Sequence, residues 1–353
     1  MAVLFACGYE VGDLDYYTSL ANPALNNLTS IEGERVVIVN TVNQGLHRRP
    51  DGSGGKFCGF TQQTLGIWPI PTTPRWVHFW FKRRSDATNP PQFLAMTSIG
   101  AEQCNVLFDT ADNKVKIRRN INVLATSVGT FDPSLGYYVT LEIVVDNTAG
   151  LVRVYLNDSP TPFVEVTAAD TQFQTSNEFL GVGIGGGTAA RLFTDDIVIT
   201  DAATGRLPES YGVLGRPVSN NSVAFTPTTG TNWQNVRPSS LYNGVDPSAA
   251  TRYNEALAAG QDLYNILLDS NVAPVSTVPL MATHVLAGAT GTLTGQVLVK
   301  SGATTANSSS FGFGRGLPFA EHTHYWLTDP NTGLAWSPSA LVPGNLSIGL
   351  KTL

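Results

Sequence analysis

The sequence predicts an all-β protein in two domains. Three observations carry this. Short β-branched and aromatic runs bounded by turn residues fill the first two hundred positions. Several of them alternate apolar and polar residues, the period of a strand with one packed and one wet face. And charge thins sharply after residue 205: residues 1–205 hold 14 Lys/Arg and 20 Asp/Glu, whereas the last 148 residues hold 7 of each. A chain of 353 residues suits two domains of ordinary size better than one.

The runs Arg35–Asn40, Trp76–Phe81, Cys104–Asp109, Lys114–Arg118 and Tyr137–Val145 read as strands. In the last, Val139, Leu141, Ile143 and Val145 share one face, and Thr140 and Glu142 fall on the other, expected wet. Asp146–Gly150 supplies a turn and Leu151–Leu156 returns as its hairpin partner. A second turn at Asn157–Pro160 leads to a strand at Phe163–Val166. The stretch Leu192–Gly205 reads as a closing strand with Asp195 and Asp196, then a turn at Thr204–Gly205. Many short antiparallel strands without intervening helices describe a sandwich.

The second domain reads as a smaller β-rich unit. Residues 253–269 predict one short helix, or a helical turn followed by a strand, because Gly260 interrupts otherwise good helix formers. Strands follow at Pro279–His284, Gly295–Lys300, His322–Leu327 and Leu346–Leu350, with a polar loop at Ser301–Ser310. Its low charge with recurring aromatics suits a surface covered by neighbours rather than disorder.

Composition narrows the function classes. No apolar run approaches the roughly 20 residues of a membrane span, and the N-terminus lacks the basic region of a secretory signal. Cys7, Cys58 and Cys104 are odd in number and widely spaced, which suggests reduced thiols made in a cytoplasm. A net charge of −6 argues against general binding to nucleic-acid phosphates.

An early Gly8-Tyr9-Glu10, the Trp76/Phe79/Phe81 strand, the hairpin Val152–Asp158, the Gly-rich Leu180–Gly187 and the closing Asp195-Asp196-Ile197 occur in an order that resembles the concanavalin-like, laminin-G-like jelly-roll domains of tailed-bacteriophage virion proteins. Phe225–Val236, Ala259–Tyr264 and Thr328–Ser337 resemble later segments of the same family, whereas residues 206–224 keep only the outline of its link. The resemblance implies an N-terminal jelly roll at 1–203, a β-rich assembly domain at 204–353 and a structural role in a virion, tail or tail tip first and capsid decoration second. Implied partners are other virion proteins and copies of the chain itself, with assembly in the host cytoplasm.

Candidate chemistry is sparse. Glycoside hydrolysis by retention needs two carboxylates about 5–5.5 Å apart on one face, and the nearest acidic pair, Glu32 and Glu34, sits in a turn-like context. No G-x-S-x-G elbow is present, and Asp51–Lys56 departs from a phosphate-binding loop. A hydrolase is therefore the least supported reading, and neither an enzyme nor a cofactor is expected. Asp195 and Asp196 are candidate cation ligands, although strand-edge carboxylates more often bond turn backbone or a neighbouring Arg. His322 and His324 stand two apart on a strand, the spacing of a shared metal ion, although such a pair more often serves packing or an interface. Lys114, Lys116 and Arg118 fall on one outward face, fit for an acidic neighbour or an anionic glycan, or for a solvated face balanced by carboxylates. Trp68, Trp233 and Trp336 are candidates for stacking on sugar rings, although Trp in a sandwich is usually core or interface. A carbohydrate-binding receptor module, with a host surface glycan as partner, is the competing class.

Overall fold

The computed structural model describes residues 3–7, 36–40, 56–60, 65–67, 70, 72–83, 89–98, 101–157, 159–185 and 192–207. In the C-terminal part it describes 218–223, 226–227, 254–255, 259–266, 281–289, 294–312, 314–315, 320–342 and 344–353. The chain divides into two compact units, residues 1–10 with 14–214 and residues 11–13 with 215–353. Residues 204–214, which follow the junction expected from sequence, thus group with the first unit.

The described first unit is a two-sheet antiparallel β-sandwich. Its strands are β1 (Val3–Cys7), β2 (Val36–Asn40), β3 (Lys56–Phe60), β4 (Leu65–Ile67), β5 (Trp76–Arg83), β6 (Gln92–Met96) and β7 (Glu102–Asp109). There follow β8 (Lys114–Arg119), β9 (Asn122–Thr126), β10 (Gly136–Val144), β11 (Gly150–Leu156), β12 (Val164–Ala169), β13 (Gly181–Gly185) and β14 (Leu192–Thr200). Sheet A runs β12-β11-β10-β5-β14-β3-β2, with β1 also on β14; sheet B runs β4-β13-β6-β7-β8-β9.

The core lies between the sheets and is built by alternation. Val77, Phe79 and Phe81 of β5 and Val139, Leu141 and Ile143 of β10 meet Phe93 of β6 and Phe108 of β7. The Phe79 and Phe93 rings lie 4.1 Å apart and Phe81 meets Phe108 edge-on at 4.6 Å, contacts worth about 0.5–1.5 kcal/mol each beyond burial. The β10–β11 turn is set by Asp146, whose carboxylate accepts from the Thr148 and Ala149 amides at 2.7 Å each. Gly150 ends that turn because a Cβ there would lie 2.2 Å from Thr171 Oγ1 and 2.5 Å from the Ala169 carbonyl.

β14 pairs along one edge with β5 and along the other with two strands in tandem, β3 opposite Leu192–Thr194 and β1 opposite Ile197–Thr200. Between them lies a bulge: Asp195 stands opposite Trp80 and Val198 opposite His78, and Asp196 takes φ +50°. The extra residue re-aims the strand where one partner ends and the next begins.

The second unit contains β15 (Val218–Val223), β16 (Thr226–Pro227), β17 (Asn254–Glu255), β18 (Gly260–Ile266), β19 (Met281–Ala289) and β20 (Thr294–Ser301). β21 (Thr304–Asn307), β22 (Phe311–Gly312), β23 (Gly314–Arg315), β24 (Ala320–Trp326) and β25 (Leu346–Thr352) complete it. Its main sheet runs β15-β18-β25-β20-β21 with β22 on β20; β23-β19-β24 form a smaller one, and β16 pairs with β17. The whole described chain is therefore all-β, as its strand pattern predicts.

Two local expectations are decided. Of the two alternatives for residues 253–269, the segment from Gly260 takes the strand: β18 pairs on one edge with β15 and on the other with β25. The helix among the described residues is instead a 3-10 turn at Pro338–Leu341. The polar stretch Ser301–Ser310 is largely a hairpin, in which Ser301 pairs with Thr304 and Leu298 with Asn307 across a turn at Gly302, φ +54°. Polarity there reflects a strand at the sheet edge, not an open loop.

Candidate binding surfaces

The outward face of sheet A is the first surprise of the side chains. His78 and Thr140 are fully buried, as is Thr200, and Trp80, Glu142, Tyr155 and Val198 are almost so. Thr140 and Glu142 were expected in water; the face is covered instead. His78 Nδ1 lies 3.1 Å from Thr140 Oγ1, and its ring stacks on Trp76 at 6.4 Å. Burial, and then the Arg206 charge, push the His78 pKa down to about 3. Arg206 lies 4.1 Å from the Tyr155 ring centroid and donates to the Ser159 carbonyl at 2.7 Å, a cation–π contact over an aromatic already packed below.

Across the same face runs a charge ladder. Arg75 Nε and Nη2 donate to Glu142 Oε1 at 2.9 and 2.5 Å. Arg153 Nη1 donates to Glu142 Oε2 at 3.0 Å and its Nε to Glu165 Oε2 at 2.9 Å. Two arginines share one buried carboxylate, so the charges alternate and cancel along three strands. The Glu142–Arg153 pair is what the hairpin register about Asp146–Gly150 demands; His78, within the Trp76–Phe81 run, and Arg206, after the closing turn, carried no such signal.

Sheet B presents a different outer face. Lys114, Lys116 and Arg118 do share one side of β8, alternating with buried Val115 and Ile117. Lys116 Nζ reaches Asp109 Oδ2 at 2.6 Å and Asp112 Oδ2 at 2.7 Å, and those two carboxylates hold its proton above the usual lysine range. Lys114 donates to the carbonyls of Val128 and Gly129. Arg118 Nε donates to Asn105 Oδ1 at 2.8 Å and its Nη2 to Gln92 Oε1 at 3.1 Å, a polar row crossing β8, β7 and β6. Beside it lies β13, in which Gly183 brings the backbone close: a Cβ there would meet Met96 Sδ at 2.9 Å and Leu94 Cδ1 at 3.0 Å.

A cleft of about 550 Å³ opens near the end of the sandwich, lined by Arg75, Val145, Asp146, Asn177, Glu178 and Ala202 among others. Two of its charged residues serve the fold: Asp146 caps its own turn, and Arg75 is held by Glu142.

The remaining candidates separate. Asp196 is fully buried at the β14 bulge, and Asp195 stands in register with Trp80. His322 and His324 both lie on β24, in register with Val285 and Thr283. The His324 ring meets Trp326 edge-on at 4.3 Å, and burial lowers its pKa. Among the described residues no three His, Cys, Asp or Glu side chains gather as a metal site. Trp336 is 3% exposed and donates from Nε1 to the Trp326 carbonyl at 2.8 Å. That corrects its reading as a sugar platform: it belongs to the small core with Ile266, Val297, Val299, Trp326 and Leu346. Trp68, Trp233, Glu32 and Glu34 lie outside the described residues.

No known protein family and no curated protein matches this chain. Distant likenesses to solved structures exist among galectin-like, concanavalin-like and glycoside-hydrolase β-sandwiches. The catalytic domain of a glycoside hydrolase family 131 protein from Coprinopsis cinerea is 11% identical, over 60% of this chain and 98% of that one, with a TM-score of 0.36. A Bacillus subtilis protein with a galectin-like fold is 12% identical, over 57% and 96%, with a TM-score of 0.32. A sialidase is 8% identical over 42% of this chain, at a TM-score of 0.33, and only 16% of the sialidase's own length is spanned. The sandwich itself rests on the strand order, register and core described above.

Proposed function

We propose that this chain is a structural part of a tailed-phage particle, tail or tail-tip associated, working through contacts with other virion proteins and with copies of itself. The observation that carries the reading is the ordered series of motifs and what the described ones build. Thr328–Ser337 is a capped turn: Asp329 Oδ1 accepts from the Asn331 amide at 2.9 Å, its carbonyl accepts from Gly333 at 2.7 Å, and the turn delivers Trp336 to the core. Asn331 Oδ1 also meets Thr304 Oγ1 of the neighbouring hairpin at 3.2 Å. Asp195–Ile197 is the bulge that joins two strands to β14. Residues that resemble a virion family thus serve architecture, which fits an assembly role. Mass spectrometry of purified particles of the encoding phage tests it: peptides of this chain are expected in stoichiometric amount, and their absence sinks the reading. A particle reconstruction with the chain on the capsid surface would replace the tail position by capsid decoration.

A second reading has one observation of its own. The half-buried Arg118 guanidinium, held on the outward face of β8 by Asn105 and Gln92, is a planar donor suited to sugar hydroxyls. Under it, the full chain retains glycans on an array and Arg118→Ala loses them; an array without signal removes it.

A further inference from the structure

Two surfaces of the sandwich carry charge that nothing beside it cancels. The first is the outward face of sheet B. Lys116 is matched by Asp109 and Asp112, whereas its neighbours on β8 have only neutral partners among the described residues. Lys114 donates to the carbonyls of Val128 and Gly129, and Arg118 to Asn105 and Gln92, while Glu102 accepts from Asn105 rather than from the guanidinium. Each of these cations has an exposed valine beside it: Val128, whose own carbonyl holds Lys114, and Val123 of β9, in register with Arg118. Lys114 and Arg118 stand about 13 Å apart along the strand at the usual rise per residue.

The second surface is the cleft at the end of the sandwich. Its cation, Arg75, is matched by Glu142. Its two carboxylates have no cation among the described residues: Asp146 takes only amide and hydroxyl donors of its own turn, on Oδ1, and the half-buried Glu178 side chain takes none. The wall that carries Glu178 is built in advance by the buried Gln103 amide. Its Nε2 donates to the carbonyls of Ser176 at 2.8 Å and Glu178 at 2.9 Å, and its Oε1 accepts from the amides of Phe173 at 3.1 Å and Gln174 at 2.8 Å. All the hydrogen-bonding capacity of one side chain thus holds Glu178 and the exposed Phe173 on a single fixed segment.

We propose that these surfaces are the two halves of one contact between copies of this chain: Lys114 and Arg118 of one copy, with Val123 and Val128, dock on Glu178, Asp146 and Phe173 of the next. The contact rests on the virion reading and names one of the self-contacts which that reading invokes. Charge selects the partner. Two β8 faces brought together would set like charges against each other, whereas face against cleft gives each uncancelled charge its opposite. Ion pairs at a surface contribute little alone, and the exposed apolar side chains in both halves supply area to bury. The halves lie on different surfaces of one copy, so the contact is head-to-tail, and repeating it gives a ring or an open chain.

Sedimentation velocity of the full chain tests this. The wild type is expected to assemble as its concentration rises from about 1 to about 100 μM, and to come apart as salt rises from about 0.05 to about 0.5 M. Glu178→Lys spoils the cleft and Arg118→Glu spoils the face, and either change alone is expected to weaken assembly about 100-fold, leaving monomers. Mixed in equal amounts, the two variants are expected to form a pair and nothing larger, because each keeps the half that the other has lost. Such a pair also shows that both variants fold. A monomeric wild type, assembly that survives either reversal, or a mixture that stays monomeric overturns the contact. The particle reading fails separately, by the absence of this chain's peptides from purified particles.

Discussion

The two outer faces of the sandwich are written in the same alternating code and end in opposite environments. On β8 the outward residues are Lys114, Lys116 and Arg118, and they stay at the surface in ion pairs and hydrogen bonds. On β5 and β10 they are Trp76, His78, Trp80, Thr140 and Glu142, of which all but Trp76 are buried. Alternation reveals that a strand has two faces. It does not reveal that one is wet; the residue types do. Long cations reach water from a sheet surface, whereas a Trp-x-His-x-Trp series has neither the charge nor the reach, and asks for cover.

The comparison can be broken experimentally, beginning with the inside that both sheets share. Cys104, on the inner face of β7, has its thiol pushed up to about 12 from 9.0 by burial. At pH 8.5 its thiolate is about 1000-fold scarcer than that of an exposed cysteine. Peptide mapping after iodoacetamide treatment is expected to find Cys104 unmodified in the native chain and alkylated in guanidinium.

Next come paired truncations. Phe81→Ala on the inner face is expected to cost about 3–5 kcal/mol in denaturant unfolding. Trp80→Ala on the outer face is expected to cost about 3 kcal/mol, because it too is a buried large side chain. A Trp80 loss below about 1 kcal/mol would return that face to the surface class. Glu142→Ala should cost about 2 kcal/mol, since it strips two arginines of a shared acceptor while leaving them partly solvated. Smallest is Lys116→Ala on sheet B, expected below about 1 kcal/mol and smaller still in high salt.

The sandwich strands were largely legible: the runs at Trp76, Cys104, Lys114, Tyr137 and Leu151 became β5, β7, β8, β10 and β11 within a residue or two. They were readable because each has an apolar side facing a common core. The Gly260 segment was legible only as a choice between helix and strand, since its state is decided by β15 and β25, partners distant in sequence. Of the candidate sites, the basic face of β8 was read correctly as a face, and Lys116 already has its carboxylates in the turn before it. For Trp336 a sugar platform stood beside the more usual core role, and burial decides for the core. The burial of His78 was invisible, because alternation gives an outward strand position no mark of whether it is wet or covered.

The bulge in β14 has a consequence for how the protein is made. A strand that ends at Thr200 is the partner of strands starting at Val3, Lys56 and Trp76. On a ribosome, at about 5–20 residues per second, the earliest of these waits on the order of ten seconds or more for its mate to be synthesised. Until then its backbone edge lacks the ladder to β14, its partner among the described residues, and sheet A closes late, by pairings of the longest sequence separation, the kind that folds slowly. The nascent chain is therefore most exposed to wrong pairing just before residue 200 emerges, and a pause in translation there would harm this protein more than a pause anywhere earlier in the sandwich.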